Sequence, residues 1–205
     1  TKRLPLQGGV GGGSSDAAAT LVALAHAWRV PLRPNQFVDV AATLGADVPF
    51  FLSGGTALGL GRGDEIYSLA DLPRHWVVLL IPGFGVATVD AYGWYDAERD
   101  PARGPMVREA QYVPGPWPSR AAQMINDLEA PIARHHPEIE QMKTALRRAG
   151  ALAAAMSGSG STVFGLFQKR KDAVLAVERL SGSGWRVILT ESLGRLGKFL
   201  LQGVG

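Results

Sequence analysis

Apolar residues recur along this chain in two rhythms. Leu21, Leu24 and Trp28 follow helical spacing with alanines between them, and predict a helix over residues 17–28. Phe37, Val40, Ala41 and Leu44 repeat the pattern and predict a second helix over 35–44, stopped by Gly45. Two strands are predicted at 56–60 and 65–69, joined through Gly61-Arg62-Gly63-Asp64. A buried strand is predicted over 76–81, halted by Pro82-Gly83. The stretch 100–118, with its prolines and glycines, predicts a long surface connection. Helices are then predicted over 119–134 and 138–149, the second with Pro137 before it and Gly150 after it. A strand over 152–156, a loop over 157–161, a strand over 162–168, a helix over 171–180 and a strand over 185–190 complete the chain. Helix and strand alternate in the later half as in an α+β layer.

Composition narrows the classes without naming one. The chain has 205 residues, 46% hydrophobic and 19% charged, which is globular rather than disordered. It has no cysteine, which excludes disulfides, thiolate metal sites and a cysteine nucleophile, and fits a cytoplasmic protein. No apolar run reaches the ~20 residues that span a bilayer. The net charge is only +3 and the basic residues are scattered, so no nucleic-acid groove is expected. The four histidines show no metal-ligand spacing. His135-His136 predicts a solvated helix end, and Asn126-Asp127 a capping or packing pair inside a helix.

The densest chemistry lies at the start. Leu6-Gln7-Gly8-Gly9-Val10-Gly11-Gly12-Gly13-Ser14-Ser15-Asp16 is a glycine-rich loop running into a helix. Glycines let successive backbone N–H groups turn inward onto an anion. The following helix adds its free N–H groups and dipole, and the serine hydroxyls add further donors or metal ligands. A Walker loop needs a Gly-Lys-Ser/Thr ending, and no lysine lies between Gly8 and Ala27. A dinucleotide fingerprint needs a third glycine where Ser14 stands. Phosphate binding outside both motifs is the expectation.

Three segments together carry a resemblance. KRLPLQGGVGGGSSDAA resembles the glycine-rich ATP-binding motif of the GHMP kinase superfamily, closest to its diphosphocytidyl-methylerythritol kinase branch. LGADVPFF resembles that branch's segment holding the catalytic aspartate, and MSGSGSTVFGLF resembles the superfamily's third, C-terminal glycine motif. The order and spacing agree along essentially the whole chain.

The resemblance implies an α+β, two-domain GHMP kinase fold: an incomplete ribosomal-S5-like domain over 1–75 and a ferredoxin-like domain over 76–205. It implies ATP with Mg²⁺, and residues 5–15 wrapping the phosphates. Asp47 would be the catalytic acid–base, and Tyr92 would stack on a cytosine with Thr88 nearby. Gly158, Ser159, Gly160 and Ser161 would border the substrate. The implied reaction phosphorylates the 2-hydroxyl of a cytidine diphosphate-linked methylerythritol, in non-mevalonate isoprenoid synthesis. The implied enzyme is a cytoplasmic monomer or homodimer without nucleic-acid or membrane partners. The family's catalytic lysine and its Asp-Gly-Tyr-His segment have no match here; Lys2 is expected to be a strand-edge surface charge instead. The chain also starts at Thr1, without Met, just before its richest motif, so a preceding segment is expected. Competing readings are a homoserine or mevalonate kinase of the same superfamily, and a catalytically silent nucleotide-binding module.

Overall fold

In the computed structural model, which describes residues 7–31, 33–98 and 124–195, the chain forms two units that exchange segments along the sequence. One takes Thr1–Val10 and His75–Ser192; the other takes Gly11–Arg74 and Leu193–Gly205.

The Gly11 unit is built on α1 (Gly12–Ala27), α2 (Pro34–Leu44) and α3 (Val48–Ser53), with a hairpin of β1 (Ala57–Leu60) and β2 (Glu65–Ser68). Helix α1 starts five residues before its predicted start at 17. Gly11, in the left-handed region at φ 64°, is the last residue of the turn, so Gly12 to Asp16 are already helical. Helix α3 was not predicted; Pro49 sits in its first turn, where its missing N–H costs nothing. Ala18, Val22 and Ala25 of α1 meet Phe37 and Ala41 of α2 and Val48 and Leu52 of α3 in one apolar core. Asp71 ties the hairpin's flank, accepting from the Thr56 N–H and the Arg195 N–H at 2.9 and 2.7 Å. Those backbone donors, Arg195 first, hold its carboxyl below the usual carboxylate range.

The other unit runs β3 (Trp76–Ile81), α4 (Thr88–Glu98), α5 (Glu129–His135), α6 (Glu138–Arg148), β4 (Ala153–Met156), β5 (Val163–Phe167), α7 (Arg170–Leu180) and β6 (Arg186–Glu191). Its four strands lie in the order β4-β5-β3-β6, every neighbour antiparallel. Taken by place in the chain, that is the ferredoxin-like split β-α-β arrangement. Ile139, Met142 and Leu146 form one face of α6 and join Val78 and Leu80 of β3 in the core.

Most predicted elements in this unit form within a residue or two of their expected bounds. The predicted 100–118 connection lies outside the described residues. The 119–134 helix differs: residues 124–128 are not helical, and α5 begins only at Glu129. Asn126 Oδ1 accepts from the Leu128 N–H at 3.1 Å, a local turn that competes with helix. Helix α4 was not predicted, because its run ATVDAYGWYD buries only Ala91 fully and lacks an apolar stripe.

Gly165 explains how closely α6 lies on β5. A Cβ there would stand 2.9 Å from Leu146 Cδ2 and 3.2 Å from Ala151 Cβ. Gly165→Val should therefore destabilise this unit by about 1–3 kcal/mol through overpacking. Thermal melting checks it; an unchanged Tm would mean that α6 can shift without cost.

Candidate active site

Within the His75–Ser192 unit, two glycine-containing stretches dock backbone to backbone. The Ser157 hydroxyl donates to the Gly9 carbonyl at 2.8 Å, and the Thr162 N–H donates to the Gly8 carbonyl at 3.2 Å. The Val86 N–H donates to the Gln7 carbonyl at 3.2 Å. The approach is too close for any side chain. A Cβ on Gly9, whose φ is +67°, would lie 2.1 Å from the Ser157 carbonyl oxygen. A Cβ on Gly158 would lie 2.9 Å from the Gly9 carbonyl oxygen.

The 157–161 loop is held on its other sides as well. Its Ser161 hydroxyl donates to the Phe84 carbonyl at 2.6 Å, and Ser159 Oγ lies 3.2 Å from Thr88 Oγ1. Thr88 opens α4, and Tyr92 follows one turn later on the same helix face. Tyr92 is 54% exposed, so its ring is not a core residue and is available to stack on a flat partner. This unit thus gathers Gln7 to Val10, Thr88 and Gly158 to Ser161, with Tyr92 beside Thr88.

The Gly11 unit carries the remaining predicted residues that are described. Gly11 packs its α-carbon against the Phe51 ring, where a Cβ would be 2.6 Å from Cζ. Gly12, Gly13, Ser14 and Ser15 form the first turn of α1, whose first N–H groups lack intrahelical partners. Ser15 Oγ donates to the Gly12 carbonyl at 3.0 Å, which uses its proton and leaves its oxygen able to accept. Gly13 has open space where a Cβ would stand. Asp47 occupies the N-cap position of α3, yet makes no side-chain capping hydrogen bond, and it is exposed. Its carboxylate is therefore not committed to holding the helix start. Pro5 and Leu6 lie outside the described residues.

Two residues escaped the sequence reading. Ser157, expected only as part of the loop, supplies the hydroxyl that clasps Gly9. Asn126, taken as a helical pair with Asp127, precedes its helix and bonds the Met156 and Gly158 carbonyls at 3.0 and 2.8 Å. No local pattern signals this, because the partners lie 30 and 32 residues away. His135 and His136 are not simply solvated: they stack on Trp94 and Phe84 at centroid distances of 4.1 and 4.3 Å. Among the described residues, no group of three His, Asp or Glu side chains is placed to hold a metal ion. None of the described helices is long and apolar enough to cross a membrane.

Chemically, unpaired backbone N–H groups and hydroxyls at a helix start suit an anion such as a phosphate chain. Comparison with known proteins agrees with that chemistry. The family model described as GHMP kinases N terminal domain matches residues 1–55, and that described as GHMP kinases C terminal matches residues 117–186. The 4-diphosphocytidyl-2-C-methyl-D-erythritol kinase of Sinorhizobium medicae is 42% identical over 96% of this chain and 65% of its own length. The kinase of the same name from Solibacter usitatus is 44% identical over 88% of this chain and 58% of its own. The chain therefore spans less than two thirds of the length of these relatives. A crystal structure of a 4-(cytidine 5'-diphospho)-2C-methyl-D-erythritol kinase superposes with a TM-score of 0.73 at 34% identity, over 94% of this chain and 69% of that one. With both family models matched and the paired glycine loops in place, the chain belongs to the GHMP kinases.

Proposed function

We propose that the protein transfers the γ-phosphoryl group of ATP to the 2-hydroxyl of 4-diphosphocytidyl-2-C-methyl-D-erythritol. The observation that carries the choice of acceptor is the 42% identity to a kinase of that name over 96% of this chain. The docked glycine stretches and the open first turn of α1 support the nucleotide half.

In this reading Gly8 to Ser15 receive the phosphates, with backbone N–H groups and hydroxyls aimed at charge that grows as the phosphoryl group leaves. The acceptor oxygen attacks the γ-phosphorus, the bond from that phosphorus to the bridging oxygen breaks, and ADP leaves with the electron pair. The acceptor's proton passes to the Asp47 carboxylate, which is not occupied in capping α3. Tyr92 stacks on the cytosine, with Thr88 and the 157–161 loop beside it.

Mg²⁺ fits these residues as an ion carried on the nucleotide. No acidic cluster forms a protein cage among the described residues, whereas the Ser15 hydroxyl leaves its oxygen lone pairs for a cation held by phosphates. When bound, the ion neutralises charge on the phosphoryl oxygens.

Three outcomes test the assignment on the full-length gene product. A Cβ on Gly13 meets nothing in the protein, so in Gly13→Val melting should hold while ATP affinity drops roughly 10-fold or more, about 1.4 kcal/mol per factor of ten. Gly9→Ala should lower both, because its Cβ collides with Ser157. Unchanged ATP titration of a folded Gly13→Val protein would remove this loop from the site.

Asp47→Asn keeps the side chain's size and removes the proton acceptor. Steady-state kcat should fall about 10²–10⁴-fold, with ATP affinity and Tm retained. Near-normal kcat in that variant would end the acid–base role.

Tyr92→Ala should raise KM for the cytidine acceptor, by an amount corresponding to about 1–3 kcal/mol of lost stacking, and spare KM for ATP. Equal weakening of both would mark Tyr92 as a folding residue.

A further inference from the structure

Asn126 has no role in the mechanism above, yet its side chain makes three bonds. Nδ2 donates to the Met156 carbonyl at 3.0 Å and to the Gly158 carbonyl at 2.8 Å; Oδ1 accepts from the Leu128 N–H at 3.1 Å. The first two bonds span the junction where β4 ends and the 157–161 loop begins. Strand β4 is at the end of its sheet, so alternate backbone groups face away from β5 and have no strand to pair with. Side chains take that place. Arg147 Nη2 donates to the Ala154 carbonyl at 3.4 Å, and Glu129 Oε2 accepts from the Met156 N–H at 2.7 Å. Glu129 is itself fixed through its other oxygen by Lys143, which is only 6% exposed and also bonds Glu140 at 2.7 Å. Burial opposes the Lys143 charge, but the hydrogen bonds to Glu129 and Glu140 outweigh it and hold its pKa above the ordinary lysine value. The clamp at Met156 thus rests on a fixed ion pair.

Of the three side chains described at this strand edge, Asn126 alone reaches past the strand into the loop. Its two N–H groups, diverging from one nitrogen, fix the separation of the Met156 and Gly158 carbonyls. Two residues on, Gly160 has φ +78°, and a Cβ there would lie 2.8 Å from Met156 Sδ, so the loop folds back on the strand end that Asn126 holds. The same loop touches Gly9 through Ser157 and Thr88 through Ser159.

We propose that Asn126 is a positioning residue for phosphoryl transfer, setting the shape of the 157–161 loop through the Gly158 carbonyl. The assignment rests on the kinase reading. The competing role, a local cap for α5, uses only Oδ1 and the Leu128 N–H. Asn126→Asp separates the two, because a carboxylate keeps the acceptor for Leu128 and loses both donors to the loop.

The experiment compares wild type, Asn126→Asp and Arg147→Ala in the full-length gene product. It measures amide hydrogen exchange at 157–161, Tm, and the kinetics of ATP and acceptor. In Asn126→Asp, loop exchange should speed up and kcat/KM for the acceptor should fall about 10–100-fold, the scale of misplacement by an ångström or less. KM for ATP should stay near wild type. Arg147→Ala, which loses a bond on the same strand edge but none to the loop, should leave loop exchange and acceptor kinetics unchanged. Unchanged exchange in Asn126→Asp would overturn the proposal, as would faster exchange with normal acceptor kinetics. Equal rises in both KM values with a lowered Tm would also overturn it, as a general loosening. Should Asn126→Asp not fold, the Asn126 side-chain NH₂ of wild type decides by NMR: slow exchange of both protons supports the clamp, and fast exchange overturns it. A wild-type protein that transfers no phosphoryl group counts against the kinase reading alone, and the exchange comparison still decides the clamp.

Discussion

The site in the His75–Ser192 unit depends on one close approach, in which the backbone at Gly8 and Gly9 lies directly against the loop from Ser157 to Thr162. Carbonyls at Gly8 and Gly9 accept from the Thr162 N–H and the Ser157 hydroxyl, and the 2.1 Å a Cβ would leave to the Ser157 oxygen forbids any residue but glycine at position 9. Everything that fixes the 157–161 loop therefore also fixes the start of the glycine-rich stretch. The β4–β5 ladder delivers the loop, Phe84 and Thr88 hold two of its serines, and Asn126 anchors its first turn.

That dependence explains an arrangement that chain order conceals. Residues up to Val10 group with strands that begin some 65 residues later, while Gly11 onward builds a helical unit of its own. Gly11, left-handed at φ 64°, is the point of change, and the helix begins at the next residue. A single glycine-rich stretch thus presents carbonyls to a partner loop on one side of Gly11 and unpaired helix N–H groups on the other.

Elements with a strong period were legible in the sequence. The run at Trp76–Ile81 and the α6 face of Ile139, Met142 and Leu146 declare themselves because burial on one side imposes the pattern. The helix at Thr88–Glu98 was not legible, since few of its residues are buried and no stripe results. The early start of α1 was hidden by glycines, which are poor helix formers in isolation but are tolerated where Gly11 sets the turn. At the site, glycines and serines could be picked out as a class. Which of them meet could not, because Ser157 and Gly9 are 148 positions apart. Asn126 was half legible: beside Asp127 it has the look of a cap and does accept from the Leu128 N–H, but its partners at Met156 and Gly158 are distant.

The docked stretches should take up a nucleotide as one structure. The direct measurement is amide hydrogen exchange at Gly8 to Val10 and at Gly158 to Ser161, with and without saturating ATP. Because each stretch fixes the other, both should slow together on binding. ATP binding that leaves both unchanged, or that protects one while the other exchanges as before, would contradict it.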